Sequence, residues 1–138
     1  MSRANAAPPG PLRPPRHLLV VDDEPHIGLL LRPEFESRGY RVSLARSLAE
    51  ARTTVDSVNL MLLDVHLPDG SGIDFLRELR GRPRTQNLPI LILTGESGDR
   101  VLEEARLLGA GLLTKPFSPT QLLEEIRKHI ADIELSNR

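Results

Sequence analysis

Five short apolar segments are spaced along the chain, and each is followed by a longer segment of mixed polarity. They are HLLVV at 17–21, the core of YRVSLA at 40–45, NLMLL at 59–63, PILIL at 89–93 and the weaker GLLT at 111–114. Apolar runs this short, bounded by turn residues, predict strands. Because the runs are continuous rather than alternating with polar residues, they favour strands that are buried on both faces of a sheet.

The longer segments carry apolar residues at the spacing of amphipathic helices. Their first and last apolar residues are Ile27 and Phe35, Leu48 and Val55, Ile73 and Leu79, Val101 and Leu108, and Leu122 and Ile130. Gly39, Gly81 and Gly109 lie where helix C-caps are expected. Pro33 conflicts with this pattern, because a proline inside a helix costs about 3 kcal/mol unless the helix is kinked or irregular there.

This alternation predicts the fold class and the extent of the domain. Strands that alternate with helices at this spacing are typical of parallel sheets joined by right-handed crossovers. We therefore predict an α/β domain over residues 17–133, a doubly wound parallel sheet of five strands with five helices. Residues 1–16, which hold five of the twelve prolines, are predicted to form a disordered tail, and residues 134–138 a short C-terminal tail.

The composition narrows the classes of protein to which the chain can belong. Its 138 residues include no cysteine, which excludes a disulfide framework, a thiolate metal site and a cysteine nucleophile. Three of the 18 basic residues lie in 1–16, which leaves 15 against 19 acidic ones, and this balance argues against direct nucleic-acid binding. No apolar run approaches the roughly 18 residues of a membrane span, and the N-terminus lacks the apolar core of a secretory signal. We therefore expect a cytoplasmic protein without membrane contact.

Polar residues that follow the predicted strands indicate a binding site. In open parallel sheets, ligands bind at the carboxyl ends of the strands. Asp22 and Asp23 follow the first predicted strand, Asp64 the third, Thr94 the fourth and Lys115 the fifth. Three carboxylates close together repel one another, and a hard divalent cation such as Mg²⁺ resolves the repulsion. A lysine and a hydroxyl nearby suit a phosphoryl group, so the pattern predicts a metal-plus-phosphoryl site with a carboxylate as candidate nucleophile.

Each of these residues also has a plainer interpretation. Asp22 and Asp23 could cap the helix that follows them, because acidic side chains favour helix N-termini. Asp64 could be a solvated turn residue, Thr94 could cap the next helix, and Lys115 could be an exposed loop lysine. We expect His66 to be a surface residue of the loop after the third strand, and the glycines of that loop to be turn formers.

Together, these motifs resemble the receiver domain of the two-component response-regulator family. The matching segments are VVDDE at 20–24, LLDVHLPDGSG at 62–72, LTGES at 93–97 and GAGLLTKPF at 109–117. Each segment alone is a weak signal, but the four in the family's order, on five repeated strand–helix units, are a specific one. The likeness covers roughly residues 17–131 and implies a flavodoxin-like sheet with strand order 2-1-3-4-5.

The resemblance implies a phosphoacceptor and a set of metal ligands. Asp64 would be the phosphoacceptor, which takes a phosphoryl group from a phosphohistidine as an acyl phosphate. Asp23 would bind Mg²⁺ directly and Asp22 mainly through water. Asp64 and the backbone carbonyl of His66 would complete the protein ligands.

The resemblance also assigns the residues around the phosphoryl group and their response to it. Lys115 would pair with the phosphoryl oxygens, and the Lys115–Pro116 peptide bond would be cis. Thr94 would hydrogen-bond a phosphoryl oxygen and draw its loop inward. The sequence departs from the family's pattern at Leu112, where an aromatic switch residue is frequent, and at Gly95, where alanine is commoner. We expect these departures to affect the conformational response rather than the phosphorylation chemistry.

These implications predict a phosphorylation-dependent signalling switch rather than an enzyme. The chain would catalyse only its own phosphorylation and dephosphorylation, and would change partner binding at the face formed by the fourth helix, the fifth strand and the fifth helix. The implied partners are a histidine kinase or phosphotransfer protein and an unknown downstream protein or output domain, with a phosphorylation-dependent homodimer as an option. Two alternatives are an aspartyl-nucleophile phosphatase or phosphotransferase, whose usual second acid is here His66, and a pseudo-receiver that acts as an interaction module.

Overall fold

The computed structural model describes residues 16–24, 26–95 and 99–136, so most of the tail predicted for residues 1–16 lies outside the described residues. The strands in chain order are β1 (His17–Val21), β2 (Arg41–Ala45), β3 (Leu60–Asp64), β4 (His66–Leu67), β5 (Gly70–Ser71), β6 (Ile90–Thr94) and β7 (Gly111–Thr114). The helices are α1 (His26–Glu36), α2 (Leu48–Thr54), α3 (Gly72–Arg80), α4 (Asp99–Leu107) and α5 (Pro119–Ser136). None of these described helices is both long and apolar enough to cross a membrane.

Five of the strands form one parallel sheet. The order across it is β2-β1-β3-β6-β7, so the strands predicted as first to fifth occur in the order second, first, third, fourth and fifth. Within the described residues, the predicted doubly wound sheet of five strands with five helices is therefore confirmed. The remaining strands, β4 and β5, pair as an antiparallel hairpin that the sequence pattern did not predict.

Alternate residues of the central strands face opposite sides of the sheet and build two apolar cores. The first core packs α2, α3 and α4 on one face, and includes Met61, Leu63, Phe75, Leu76 and Ala105. The second core packs α1 and α5 on the other face, and includes Leu60, Leu62, Leu31, Phe35 and Leu122. Because both faces are covered, every residue of β1, β3 and β6 is buried, which explains their continuous apolar runs.

Helix α1 tolerates its internal proline because the affected backbone is exposed, and two helices end at the predicted glycines. Helix α1 contains Pro33 and nevertheless continues to Glu36. Pro33 and Leu29, whose carbonyl loses its usual donor, are both exposed, so water can take the place of the missing hydrogen bond. Gly39 and Gly109 have positive φ angles of 87° and 69°, as expected of C-cap glycines.

Some boundaries differ slightly from the predicted ones. Asp64 and Thr94 are the last residues of β3 and β6 rather than the first residues beyond them. Helix α5 continues to Ser136, past residue 133, the predicted end of the domain. Element ends depend on pairing and packing with other segments, so the local pattern defines them only to within a few residues.

Candidate functional site

The residues predicted to form the site meet at the carboxyl edge of the sheet, where the strand order reverses. In a doubly wound sheet the connections leave in opposite directions at this point and open a crevice. The reversal here lies between β1 and β3, whose register sets Asp22 beside Asp64. Strand β6 adjoins β3 on its other side, with Leu93 opposite Asp64 and Thr94 one residue further on. Residues far apart in sequence are therefore neighbours at one edge.

Asp22, Asp23 and Asp64 form an acidic cluster at this edge. One carboxylate oxygen from each lies within 4.8 Å of the others. Asp22 and Asp64 are buried, whereas Asp23 is exposed. The Oδ1 of Asp22 accepts the backbone N–H of Glu24, but its buried Oδ2 accepts no hydrogen bond within the described residues. Three hard oxygen donors at this spacing, one of them buried without a hydrogen bond, fit a hard divalent cation such as Mg²⁺.

The surroundings of Asp22 raise the pKa of its carboxyl group. Burial raises the pKa of Asp22, and the neighbouring carboxylate of Asp64 raises it further. The Glu24 N–H and the Lys115 ammonium act in the opposite direction without cancelling the rise in pKa. A cation among the carboxylates would favour the ionised form of Asp22, so binding of such an ion would be linked to deprotonation of this residue.

Lys115 brings a positive charge to the cluster. Its backbone N–H donates to the carbonyl of Thr94 at 2.7 Å, and its Nζ donates to Oδ2 of Asp64 at 2.9 Å. The same Nζ lies 3.6 Å from Oδ2 of Asp22. Burial alone lowers the pKa of Lys115, but the hydrogen bond to Asp64 and the charge of Asp22 outweigh burial, and the net pKa is raised. The Lys115–Pro116 peptide bond is cis, as the resemblance implied.

Thr94 ends β6, the strand next to that of Asp64, and Leu112 lies on β7, the edge strand beyond β6. The side chain of Thr94 is fully buried, and in the strand register Thr94 pairs with Thr114 of β7. Leu112, two residues before Thr114, is half-buried and packs against the first core. An aliphatic side chain within the core therefore stands where the resemblance implied a switching aromatic residue.

Contacts that the sequence pattern did not reveal hold the loop after Asp64. The backbone N–H of His66 donates to Oδ1 of Asp64 at 3.2 Å, while its side chain is exposed as expected. Asp69 accepts hydrogen bonds from the backbone N–H groups of Leu48 and Ala49 at 2.9 and 3.0 Å. The loop is thus fastened to the start of α2. The sequence around Asp69 indicates only a turn, so it does not predict these hydrogen bonds to residues about 20 positions away.

Gly72 has a packing role, whereas the sequence indicated only a turn former. The residue is buried, and its N–H donates to the carbonyl of Val65 at 2.7 Å. A Cβ at position 72 would lie 2.1 Å from the carbonyl oxygen of Asp64. Helix α3 therefore begins directly against the backbone of Asp64, and only glycine permits this approach. Gly70 differs, because its φ of 153° requires glycine for a conformational reason.

An apolar groove of about 260 Å³ opens beside Lys115. Side chains of α1, of the segment between β7 and α5 and of the start of α5 line it, among them Ile27, Leu30, Phe117 and Leu122. Leu30 is 62% exposed. The surface next to the acidic cluster is therefore one against which apolar side chains of another protein could pack.

The sequence-based site is thus spatially coherent. Asp22, Asp23, Asp64 and Lys115 form one cluster, and Thr94 lies on the adjoining strand end. None of them is a remote surface residue, although each had a plainer interpretation. The functional roles assigned to them stay predictions.

Comparison with known proteins points to one family. Residues 18–127 match the response regulator receiver domain. The chain is 38% identical over 117 residues to the phosphate regulon transcriptional regulatory protein PhoB of Rhizobium meliloti, covering 80% of this chain and 50% of that protein. It is 40% identical over 114 residues to the transcriptional regulatory protein CpxR of Klebsiella pneumoniae, covering 80% of this chain and 47% of that protein. The chain spans about half the length of these curated relatives.

Solved structures give the same result. The chemotaxis response regulator CheY4 of Vibrio cholerae superposes with a TM-score of 0.73 at 29% identity, covering 82% of this chain and 97% of that one. The non-phosphorylated HemR receiver domain of Leptospira biflexa superposes with a TM-score of 0.76 at 29% identity, covering 84% of this chain and 94% of that one. Unlike the curated relatives, these structures are matched over nearly their whole length.

Proposed function

The chain belongs to the response regulator receiver family, and from that premise we propose that it is a phosphorylation-dependent switch with Asp64 as its phosphoacceptor. Receivers are signalling domains of two-component systems, not enzymes in the usual sense. The observation that carries the proposal is the 2.9 Å contact between Asp64 and the Nζ of Lys115, beside two further carboxylates. A carboxylate between an ammonium group and a set of metal ligands is suited to accept a phosphoryl group.

In the proposed reaction, a carboxylate oxygen of Asp64 attacks the phosphorus of a phosphohistidine. The P–O bond forms as the P–N bond breaks, the electron pair of the P–N bond stays on the imidazole nitrogen, and the product is an acyl phosphate. Lys115, whose Nζ lies 2.9 Å from Oδ2 of Asp64, would exchange this contact for one with a phosphoryl oxygen. The chain would thereby promote its own phosphorylation and, with water as the attacking group, its own dephosphorylation.

We propose that Asp22, Asp23, Asp64 and the backbone carbonyl of His66 hold Mg²⁺. Bound there, the ion would offset the negative charge that accumulates when a phosphoryl group approaches three carboxylates. Asp23 is the exposed member of the set and would bind directly. Asp22 would contribute mainly through water, and its carboxylate, which has an oxygen within 4.8 Å of oxygens of Asp23 and Asp64, lies close enough for that role.

Thr94 is proposed to carry the change at Asp64 to an outer face made of α4, β7 and α5. Its hydroxyl would bind a phosphoryl oxygen, and its carbonyl already accepts the N–H of Lys115, so both responding residues lie on adjoining strand ends. Leu112 is packed against the first core, so the response would pass through an aliphatic contact. Binding of a downstream protein, an output domain or a second copy as a homodimer would change at this face.

The proposed phosphodonor is a histidine kinase or a phosphotransfer protein. A phosphohistidine side chain is short, so the donor protein must rest on the surface around Asp64, and the apolar groove between α1 and α5 adjoins Lys115 there. We propose no direct nucleic-acid binding by residues 17–133, in keeping with their acidic balance, and a cytoplasmic location.

Mass measurement of the intact protein tests the proposal. With Mg²⁺ and acetyl phosphate, the wild type should gain one phosphoryl group and Asp64→Asn none. Asp56→Asn changes an exposed carboxylate before the amino end of β3 and should behave like the wild type. A wild type that gains no phosphoryl mass and binds no beryllofluoride would contradict the proposal. Sustained turnover of a generic phosphoester would instead favour a phosphatase, and partner binding unchanged in Asp64→Ala would favour a pseudo-receiver.

A further inference from the structure

Arg80 of helix α3 binds the backbone at the C-terminal end of helix α4. The Nε of Arg80 donates to the carbonyl of Leu108 at 2.6 Å, and Nη2 donates to the carbonyl of Gly109 at 3.3 Å. The Nη1 of the same residue donates to the carbonyls of Thr85 and Leu88 at 3.0 and 2.8 Å. Arg80 therefore joins the C-terminal end of α4 to the segment that leads into β6.

Other contacts hold the same end of α4. Arg77, one turn before Arg80, pairs with Glu104 of α4. Ala105 is fully buried in the first core. Gly109 has a φ of 69° and ends the helix as C-cap glycines do. Residues 104–109 are thus attached to α3 and the core by a buried side chain, an ion pair and several hydrogen bonds.

The first half of α4 is attached more weakly, as far as the described residues show. Leu102 is 41% exposed, and Val101, which packs against the first core, is only half-buried. The ion pair of Glu103 with Arg106 lies within the helix and both side chains are exposed, so it does not attach α4 to another element. The two halves of the helix therefore differ in how firmly they are held.

We propose that Arg80 is a positioning residue that makes the C-terminal end of α4 a pivot, so that activation tilts the helix instead of shifting all of it. This rests on the proposed function, because it takes phosphorylation of Asp64 as the trigger. The change at Thr94 reaches α4 at its first turn, which is the part nearest to β6 along the chain. The planar guanidinium of Arg80 binds four carbonyls at once and resists displacement of the other end.

The pivot determines which part of the helix signals. The surface around Leu102 changes most, and the surface around Leu107 changes little, although Leu107 is 75% exposed. A downstream partner that distinguishes the two states of the chain therefore contacts the first half of α4.

Hydrogen–deuterium exchange of the full chain, with and without Mg²⁺ and beryllofluoride, measures the two halves of α4 separately. In the wild type, exchange at amides 102 and 103, the first that hydrogen-bond within α4, should change by about tenfold or more, and exchange at 105–110 by less than about twofold. Arg80→Gln should speed exchange at 105–110 and spread the response over the whole helix. Arg80→Lys keeps the charge but loses the planar guanidinium that donates to several carbonyls at once, so it should resemble Arg80→Gln. Arg106→Gln removes an exposed arginine of α4 itself and should match the wild type.

Equal responses in both halves of the wild-type helix would overturn the pivot, and so would an Arg80→Gln pattern identical to that of the wild type. The first comparison uses the wild type alone, so it decides the question even if Arg80→Gln does not fold. A wild type that binds no beryllofluoride and gains no phosphoryl mass contradicts the proposed function and the pivot with it. Phosphorylation at Asp64 with a uniform response of α4 contradicts only the pivot.

Discussion

Replacement of Gly72 by alanine tests how closely the fold constrains Asp64. A Cβ at position 72 would lie 2.1 Å from the carbonyl oxygen of Asp64 and 3.1 Å from the Cα of Val65. Real Cβ contacts are essentially never shorter than 3.0 Å, so the start of α3 and the end of β3 must separate by about 1 Å. Both neighbours are backbone atoms, which cannot rotate away as the end of a flexible side chain could.

Such a separation should affect both stability and chemistry. Overpacking in a close-packed interior costs about 1–3 kcal/mol, so we expect Gly72→Ala to lower the free energy of unfolding by that amount. A misplacement of about 1 Å at a reacting group can slow a reaction about 100-fold. Because the displaced backbone carries Asp64, phosphorylation by acetyl phosphate should slow by a factor of that order.

Urea denaturation gives the first quantity, and the rate of phosphoryl mass gain at a fixed Mg²⁺ concentration gives the second. Gly81→Ala is the matched control at the other end of α3. The φ of Gly81 is −87°, and a Cβ there would meet its nearest atom at 3.5 Å, which is an ordinary contact. This variant should change the free energy of unfolding by less than about 0.5 kcal/mol and leave the rate unchanged. Wild-type stability and rate in Gly72→Ala would refute the reasoning.

Two further predictions concern single side chains. Lys115→Met removes the ammonium group 2.9 Å from Asp64 and should slow phosphorylation by acetyl phosphate about 100-fold, and a rate within twofold of the wild type would exclude the role given to Lys115. Burial and the charge of Arg41 lower the pKa of His17 from 6.5, so below that pH the unfolded chain binds more protons than the folded chain. The stability due to neutral His17 is therefore present above about pH 6.5 and is lost as the pH falls towards the folded-state pKa. His17→Gln should therefore lose less stability than the wild type between about pH 7.5 and pH 5 in urea denaturation, and an identical loss would contradict this origin.

Much of the fold could be predicted because its signal is local. The strands β1, β3 and β6 are buried on both faces, so each reads as a short continuous apolar run, and the helices between them repeat at their own period. The hairpin of β4 and β5 was not predictable in this way. Its two-residue strands include exposed residues, so they carry no apolar pattern.

The sequence by itself determined the five strands of the main sheet, the five helices, the family and the residues at the strand ends, since periodicity and motif order are properties of neighbouring residues. Tertiary structure alone decided how those ends meet. Lys115 and Asp64 are 51 residues apart and lie 2.9 Å apart only because the strand order and register bring their strand ends to one edge. The approach of Gly72 to Asp64 and the hold of Arg80 on α4 have the same origin, because contacts between distant segments depend on packing that no local pattern encodes.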